Sequence, residues 1–270
     1  MHLTVQKYNE EDQTLDISAT TNALIAARKS DTIIQIEDFP KNLADAYAIQ
    51  RAIAKDYGEA LTGWKAAFTA APAMEMMKTD EPAYGPLFEG STYISGDTLK
   101  SPDYCLRRIE CEYAFKIAAD FGPRDKEYSL DEIISGVASL HPAIEVVHVR
   151  VNGAFDIGAR AVVADHCGNY AFVAGAGTSE WRSIDIINQP VKLTVNGEQV
   201  ATGGGKNVLG NPLKSLVWTI NRLCVDGYTV TEGQYVTTGS CTGMHPAPQS
   251  CELIADFGPL GQCELNCKAQ

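Results

Sequence analysis

Glu110 and Glu112 are separated by one residue in the run Arg107-Arg108-Ile109-Glu110-Cys111-Glu112-Tyr113-Ala114-Phe115. Alternate residues of a strand share a face. Both carboxylates therefore point one way, and Ile109, Cys111 and Tyr113 point the other. Two anions aimed at one spot repel each other unless a cation lies between them. A second apolar run, His141-Pro142-Ala143-Ile144-Glu145-Val146-Val147, carries Glu145 as its only acidic or basic charge. Three carboxylates on two β segments suit a hard divalent cation, Mg²⁺ or Mn²⁺, with coordination positions left for water or substrate. The same pattern fits two glutamates on a solvated strand edge and a third with an arginine partner. Pattern alone leaves both readings open.

Lys65 sits among Trp64, Ala66, Ala67 and Phe68. Burying a lysine costs free energy unless an anion neutralises it. Beside the glutamates it would be an acid–base group or a clamp for a substrate carboxylate; alone it is equally a lysine snorkelling from a strand edge. Asp165 follows four apolar residues and reads as a turn-forming aspartate at a strand end or as a site residue. Gly239-Ser240-Cys241-Thr242-Gly243 has the form of a loop that offers N–H and hydroxyl groups to an anion, without the spacing of a nucleophile elbow. Gly203-Gly204-Gly205 lacks both the Walker and the dinucleotide fingerprints.

The elements that position these groups read as an α+β chain. Residues 1–62 form a helical arm, with helices over 18–30 and 42–57 and Gly58 as a stop. Residues 63–270 form a β-rich catalytic domain with helices packed outside. Strands are expected at 63–68, 84–88, 105–118 and 141–150, with a loop or helical turn over 71–83. Ser129 and Glu132 make a capping box that starts a helix running to about Leu140. Asn196-Gly197 marks a hairpin between strands at 191–195 and 199–201. Asn211 and Pro212 open a helix that Asp226-Gly227 closes, and strands at 234–238 and 252–257 follow.

The net charge of −12 argues against nucleic acid and anionic membranes as partners. No apolar run approaches the roughly 18 residues that span a bilayer, and the first residues carry no apolar leader. The eight cysteines include no Cys-x-x-Cys, so they read as reduced thiols acting as small hydrophobes in a cytoplasmic protein. Cys263 and Cys267 are the two expected to be open to oxidation in vitro.

Taken in order, Gly63-Trp64-Lys65, Gly85-Pro86-Leu87-Phe88, Glu110-Cys111-Glu112-Tyr113-Ala114-Phe115, Pro142-Ala143-Ile144-Glu145, Ala164-Asp165, Val208-Leu209-Gly210-Asn211-Pro212-Leu213 and Gly239-Ser240-Cys241-Thr242 resemble the fumarylacetoacetate hydrolase superfamily. The closer resemblance is to its 2-keto-4-pentenoate hydratase / 4-oxalocrotonate decarboxylase branch, over residues 37 to 266. The resemblance implies a mixed-sheet core and Mg²⁺ or Mn²⁺ on Glu110, Glu112 and Glu145. It implies Lys65 as the acid–base group and Asp80 as an acidic residue near the substrate. Phe88, Asp165, Ser240 and Thr242 would line the site for a small 2-oxo acid. It also implies a homo-oligomer, or an assembly with a related decarboxylase or hydratase.

Four positions depart from the usual pattern of the branch. His166 stands where it has asparagine, His148 and Val149 where it has aspartate and serine, and Asn211 where it often has histidine, which bears on substrate more than on reaction type. The leading expectation is hydration of a 2-hydroxy-2,4-dienoate to a 4-hydroxy-2-oxo acid. The alternatives are decarboxylation of 4-oxalocrotonate, C–C hydrolysis of an acylpyruvate, and a non-catalytic assembly partner. The hydrolase would want a His/Glu pair on an N-terminal lid, and His2 is the only histidine before His141.

Overall fold

The computed structural model describes residues 17–35 and 40–270; the first 16 residues of the expected arm lie outside them. Helices α1 (Ile17–Ser30) and α2 (Leu43–Asp56) open the described chain. The side chain of Asn42 caps α2 by accepting the Asp45 N–H. Ala46, Ile49 and Ile53 of α2 and Leu24 of α1 join the same hydrophobic core as the strands. Gln50 ties α2 down, donating through Nε2 to the carbonyls of Tyr84 and Val163 at 2.9 Å each.

The strands that follow are β1 (Leu61–Ala67), β2 (Ala83–Phe88), β3 (Thr92–Ile94), β4 (Thr98–Ser101), β5 (Arg108–Ile117), β6 (Val137–Val147) and β7 (Asn169–Ala174). They continue as β8 (Pro190–Val195), β9 (Glu198–Gly204), β10 (Tyr235–Ser240), β11 (His245–Pro246), β12 (Cys251–Asp256) and β13 (Gln262–Ala269). The larger sheet has the order β2-β1-β10-β5-β6-β7-β3, with β11 also on β5. It is mixed: β1/β10 and β3/β7 are parallel and the other pairs antiparallel. The smaller sheet runs β4-β13-β12-β8-β9. Outside lie α3 (Ala71–Met77), α4 (Leu130–Ser135), α5 (Ala154–Ile157), α6 (Ala159–Ala164) and α7 (Pro212–Val225). This is the expected α+β fold with a mixed, β-rich core. Among the described residues, no helix is long and apolar enough to cross a membrane.

The two faces of β5 do different work, as the alternation requires. Ile109, Cys111, Tyr113 and Phe115 enter the main core, where Tyr113 packs edge-on against Phe257 and Phe115 against Trp181. The Glu110–Glu112 face carries a second, small cluster of Leu87, Ala114, Ala143, Phe172 and Ala174. Three alanines there leave room beside the glutamates.

Several expected elements end elsewhere. The helix begun by the Ser129–Glu132 capping box stops at Ser135, with Gly136 as its C-cap, because Val137 already begins β6. The apolar stretch before Asp165 is helix α6, not a strand. Strands β3, β4, β11 and β13 fall where the sequence reading has none. Cys263 and Cys267 are four apart on β13, roughly 13 Å at strand rise, beyond the ~7 Å reach of a disulfide. The residue opposite Cys267 is Cys251. All eight cysteines are free and buried.

Candidate metal and active site

Pairing of β5 with β6 sets Glu110 directly opposite Glu145, and Glu112 follows on the same face. One carboxylate oxygen from each lies within 4.8 Å of the others. From β1, Lys65 brings its Nζ to 2.6 Å from Glu145 Oε1 and donates to the Cys167 carbonyl at 3.2 Å. Lys65 is 1% exposed, so its charge depends on these anions. Burial alone lowers its pKa, but Glu145, Glu110 and Glu112 together hold it above the ordinary lysine range. Burial pushes Glu110 up to about 7, with Lys65 opposing and Glu145 adding. Glu112 is driven well above the carboxylate range by burial, then by Glu145 and Glu110.

The donor set fits a divalent cation. Glu112 Oε2 accepts the Gly239 N–H at 2.9 Å. Glu145 Oε1 is held by Lys65 and by Asn169 Nδ2 at 3.0 Å. The remaining oxygens, Glu112 Oε1 and Glu145 Oε2, are buried without a hydrogen-bond partner. Three converging carboxylates against one lysine leave uncompensated negative charge in a dry site, which is costly. Hard oxygen donors in this arrangement suit Mg²⁺ or Mn²⁺. The structure brings together the three glutamates that the sequence groups.

Gly239 sets the loop above the glutamates. Its φ is 97°, a region that L side chains rarely adopt, and a Cβ there would collide with Thr69 Oγ1. Gly239→Ala should lower stability by about 1–3 kcal/mol, the scale of backbone strain. It should lower turnover as well, because the N–H on Glu112 moves with the loop. Denaturant unfolding and a steady-state assay check this; unchanged values in both would show that the loop adapts.

Lys65, Glu110, Ser240 and Thr242 border a cavity of about 610 Å³, with Glu112 and Glu145 buried beneath. The other expected site residues are placed differently. Asp80 is exposed beyond α3 and does not border the cavity, because the chain turns outward after Met77. Phe88 is fully buried, its ring 5.0 Å from Tyr57 and 5.1 Å from His166, as core rather than cavity wall. Asp165 is a buried counter-ion: Oδ2 accepts the Arg150 N–H at 2.6 Å, and Oδ1 lies 3.4 Å from Arg150 and 3.8 Å from Arg28. The residues missed from sequence are Cys167 and Asn169. They act on the cluster through a backbone carbonyl and a side-chain amide, so residue type carries no signal for the first; Gly239 belongs to the loop read from sequence as offering an N–H to an anion, and the anion is Glu112.

His148, at one of the departures, is fully buried and accepts the Leu106 N–H through Nδ1 at 3.3 Å. Burial, then Arg150 and Arg107, push its pKa down to about 4. A histidine of the unfolded chain titrates near ~6.5. Between those values the unfolded chain binds the proton and the folded chain does not, so this stability is present above the window and is lost as pH falls through it. His166, buried near Arg28 and Arg150, shifts the same way. Acidification from ~pH 6.5 to ~pH 4 should cost on the order of 3 kcal/mol through His148 alone. His148→Gln should flatten that part of the profile, read as unfolding midpoints across the range; an unchanged profile would place the acid sensitivity elsewhere.

No family model matches the chain. It is 30% identical over 219 residues to a 2-keto-4-pentenoate hydratase of Burkholderia vietnamiensis, covering 80% of this chain and 82% of that one. Its fold matches a 4-oxalocrotonate decarboxylase from Pseudomonas putida G7, complexed with magnesium and adipate. The TM-score is 0.84 at 25% identity, covering 95% of this chain and 99% of the other. A fumarylacetoacetate hydrolase family protein from Yersinia pestis CO92 shares the fold at a TM-score of 0.61, 16% identical, covering 78% of this chain and 94% of that one. With its glutamates and Lys65 set as described, the chain belongs to the 2-keto-4-pentenoate hydratase / 4-oxalocrotonate decarboxylase branch of the fumarylacetoacetate hydrolase superfamily.

Proposed function

We propose that the chain is a divalent-metal-dependent hydro-lyase that adds water to a 2-hydroxy-2,4-dienoate to give a 4-hydroxy-2-oxo acid, in the catabolism of aromatic or related compounds. The observation that carries this is Lys65 Nζ held 2.6 Å from Glu145 at the wall of the cavity. There a proton donor faces the space beside three converged carboxylates. A divalent cation on Glu110, Glu112 and Glu145 would polarise the C2 oxygen of a 2-oxo acid and stabilise negative charge on it. Lys65, kept cationic by those glutamates, gives a proton to C5 of the dienol. As the C2 hydroxyl loses its proton, the conjugated unsaturated ketone forms. Water then adds its oxygen at C4 and a proton at C3. The Ser240 and Thr242 hydroxyls at the cavity orient that water, a role that exposed Asp80 does not fill.

The second reading is decarboxylation of 4-oxalocrotonate, which uses the same charge stabilisation with CO₂ leaving; the likeness to the decarboxylase structure supports it. The test is a Mg²⁺-supplemented assay with 2-hydroxypenta-2,4-dienoate and 4-oxalocrotonate given separately, following dienol absorbance and CO₂. Loss of the dienol without CO₂, with a 4-hydroxy-2-oxo acid as product, is the expected result. CO₂ from the dicarboxylate would establish the decarboxylase instead, and two untouched substrates would overturn both. The free, buried cysteines support a reducing compartment, the cytoplasm.

A further inference from the structure

Beyond Lys65 and the glutamates, the cavity wall changes character. On the side formed by the end of β1, by α3, α5 and α6 and by the loop after β10, it is made by Phe68, Met76, Met77, Phe155, Val162 and Met244. Among the described residues bordering the cavity, Lys65 is the only cation, and it is already held by Glu145 and the Cys167 carbonyl. The three carboxylates and Lys65 sum to a charge of two negative units, which one divalent ion cancels. A substrate carboxylate at the polar end then finds its partners there. A second carboxylate at the far end would meet methionine, phenylalanine and valine with no counter-ion; Met76 and Met244 are open to solvent, but against the buried Met77 and Val162 an unpaired charge is disfavoured. The volume points the same way. A cavity of about 610 Å³ lies within the ~300–1,000 Å³ that takes drug-sized ligands, far more than a five-carbon acid fills.

We propose that this chain selects 2-hydroxy-2,4-dienoates extended beyond C5 by an apolar substituent, with Met76, Met77, Phe155 and Val162 as the specificity-determining wall, and rejects those that end in a second carboxylate. This rests on the hydratase reading and narrows its substrate class. Methionines make such a wall adaptable, because the unbranched thioether fills irregular space. Each methylene buried against it should raise kcat/KM about fourfold.

The experiment compares kcat/KM for 2-hydroxypenta-2,4-dienoate, 2-hydroxyocta-2,4-dienoate and the dicarboxylate 2-hydroxyocta-2,4-diene-1,8-dioate, with Mg²⁺ present. The eight-carbon monoacid should exceed the five-carbon acid at least tenfold and the dicarboxylate at least a hundredfold. A dicarboxylate as good as the monoacid would overturn the proposal while leaving the hydratase reading intact. Calorimetric binding of the unreactive acids 2-oxopentanoate, 2-oxooctanoate and 2-oxooctanedioate separates the two further. The same preference for 2-oxooctanoate is expected even where no substrate turns over, and equal affinity for the dioate would sink the assignment of the wall. Met76 is 45% exposed, so Met76→Arg should fold. It should raise kcat/KM for the dicarboxylate at least tenfold, and no gain would show that the tail does not lie against α3.

Discussion

Replacing Lys65 by methionine lowers turnover by about 10²- to 10⁴-fold, the scale of a lost acid–base group, and leaves the three glutamates in place. The substitution also removes the cation 2.6 Å from Glu145 in a site that is closed to solvent. Breaking a buried pair from one side leaves the other charge uncompensated and costs about 3–5 kcal/mol. In the absence of metal, Lys65→Met is therefore strongly destabilised, and millimolar Mg²⁺ restores more stability to it than to the parent chain. Lys65→Arg separates charge from geometry. It keeps the cation but replaces a compact ammonium by a planar fork, so stability is largely kept while turnover stays low. The measurements are kcat and the unfolding midpoint, each with Mg²⁺ and with chelator. Near-normal turnover of the methionine variant would remove Lys65 from the reaction, whatever its effect on stability.

Strand periodicity is local, so it groups Glu110 with Glu112 and marks Lys65 and Glu145 as charges in need of partners, while the metal and acid–base readings themselves come from the family resemblance. A carboxylate two residues from another shares its face, and a lone charge in an apolar run needs a partner. The hairpin at Asn196-Gly197 and the Asn211–Pro212 helix start were legible for the same reason: φ of 52° and 82° at the turn, and the Asn211 side chain accepting the Leu213 N–H, are settled within a few residues. What sequence did not show was set by partners far along the chain. Strand β13 pairs in parallel with β4, Asn266 facing Thr98, a register no local pattern encodes. Asp165 has the residue type of a site group, but Arg28 from α1 and Arg150 claim its oxygens. Asp80 follows a short helix whose exit direction depends on packing against α5. The run Ala161–Ala164 is apolar and holds two valines, so it fits a strand as well as a helix; burial against α2 decides for the helix.

Glu112 and Glu145 should respond in opposite directions when each is changed to glutamine. Glu112→Gln takes one negative charge out of a crowded dry site, while the amide oxygen can still accept the Gly239 N–H now held by Oε2. The metal-free protein should gain on the order of 1–3 kcal/mol, because a buried carboxylate with an unpartnered oxygen disappears. Glu145→Gln instead strips Lys65 of its nearest anion and should destabilise the metal-free protein by about 3–5 kcal/mol. Both variants should lose the stabilisation by metal that is expected of the parent. A ligand at a hundredfold its dissociation constant stabilises the folded state by about 2.7 kcal/mol, and Mg²⁺ or Mn²⁺ should do this only when all three carboxylates are present. Thermal unfolding with chelator and with millimolar metal reads every arm. A full metal response in Glu112→Gln would remove that residue from the ligand set. A Glu112→Gln protein less stable than the parent without metal would mean that Glu112 serves mainly to hold the Gly239 loop, and that charge crowding is not what the ion relieves.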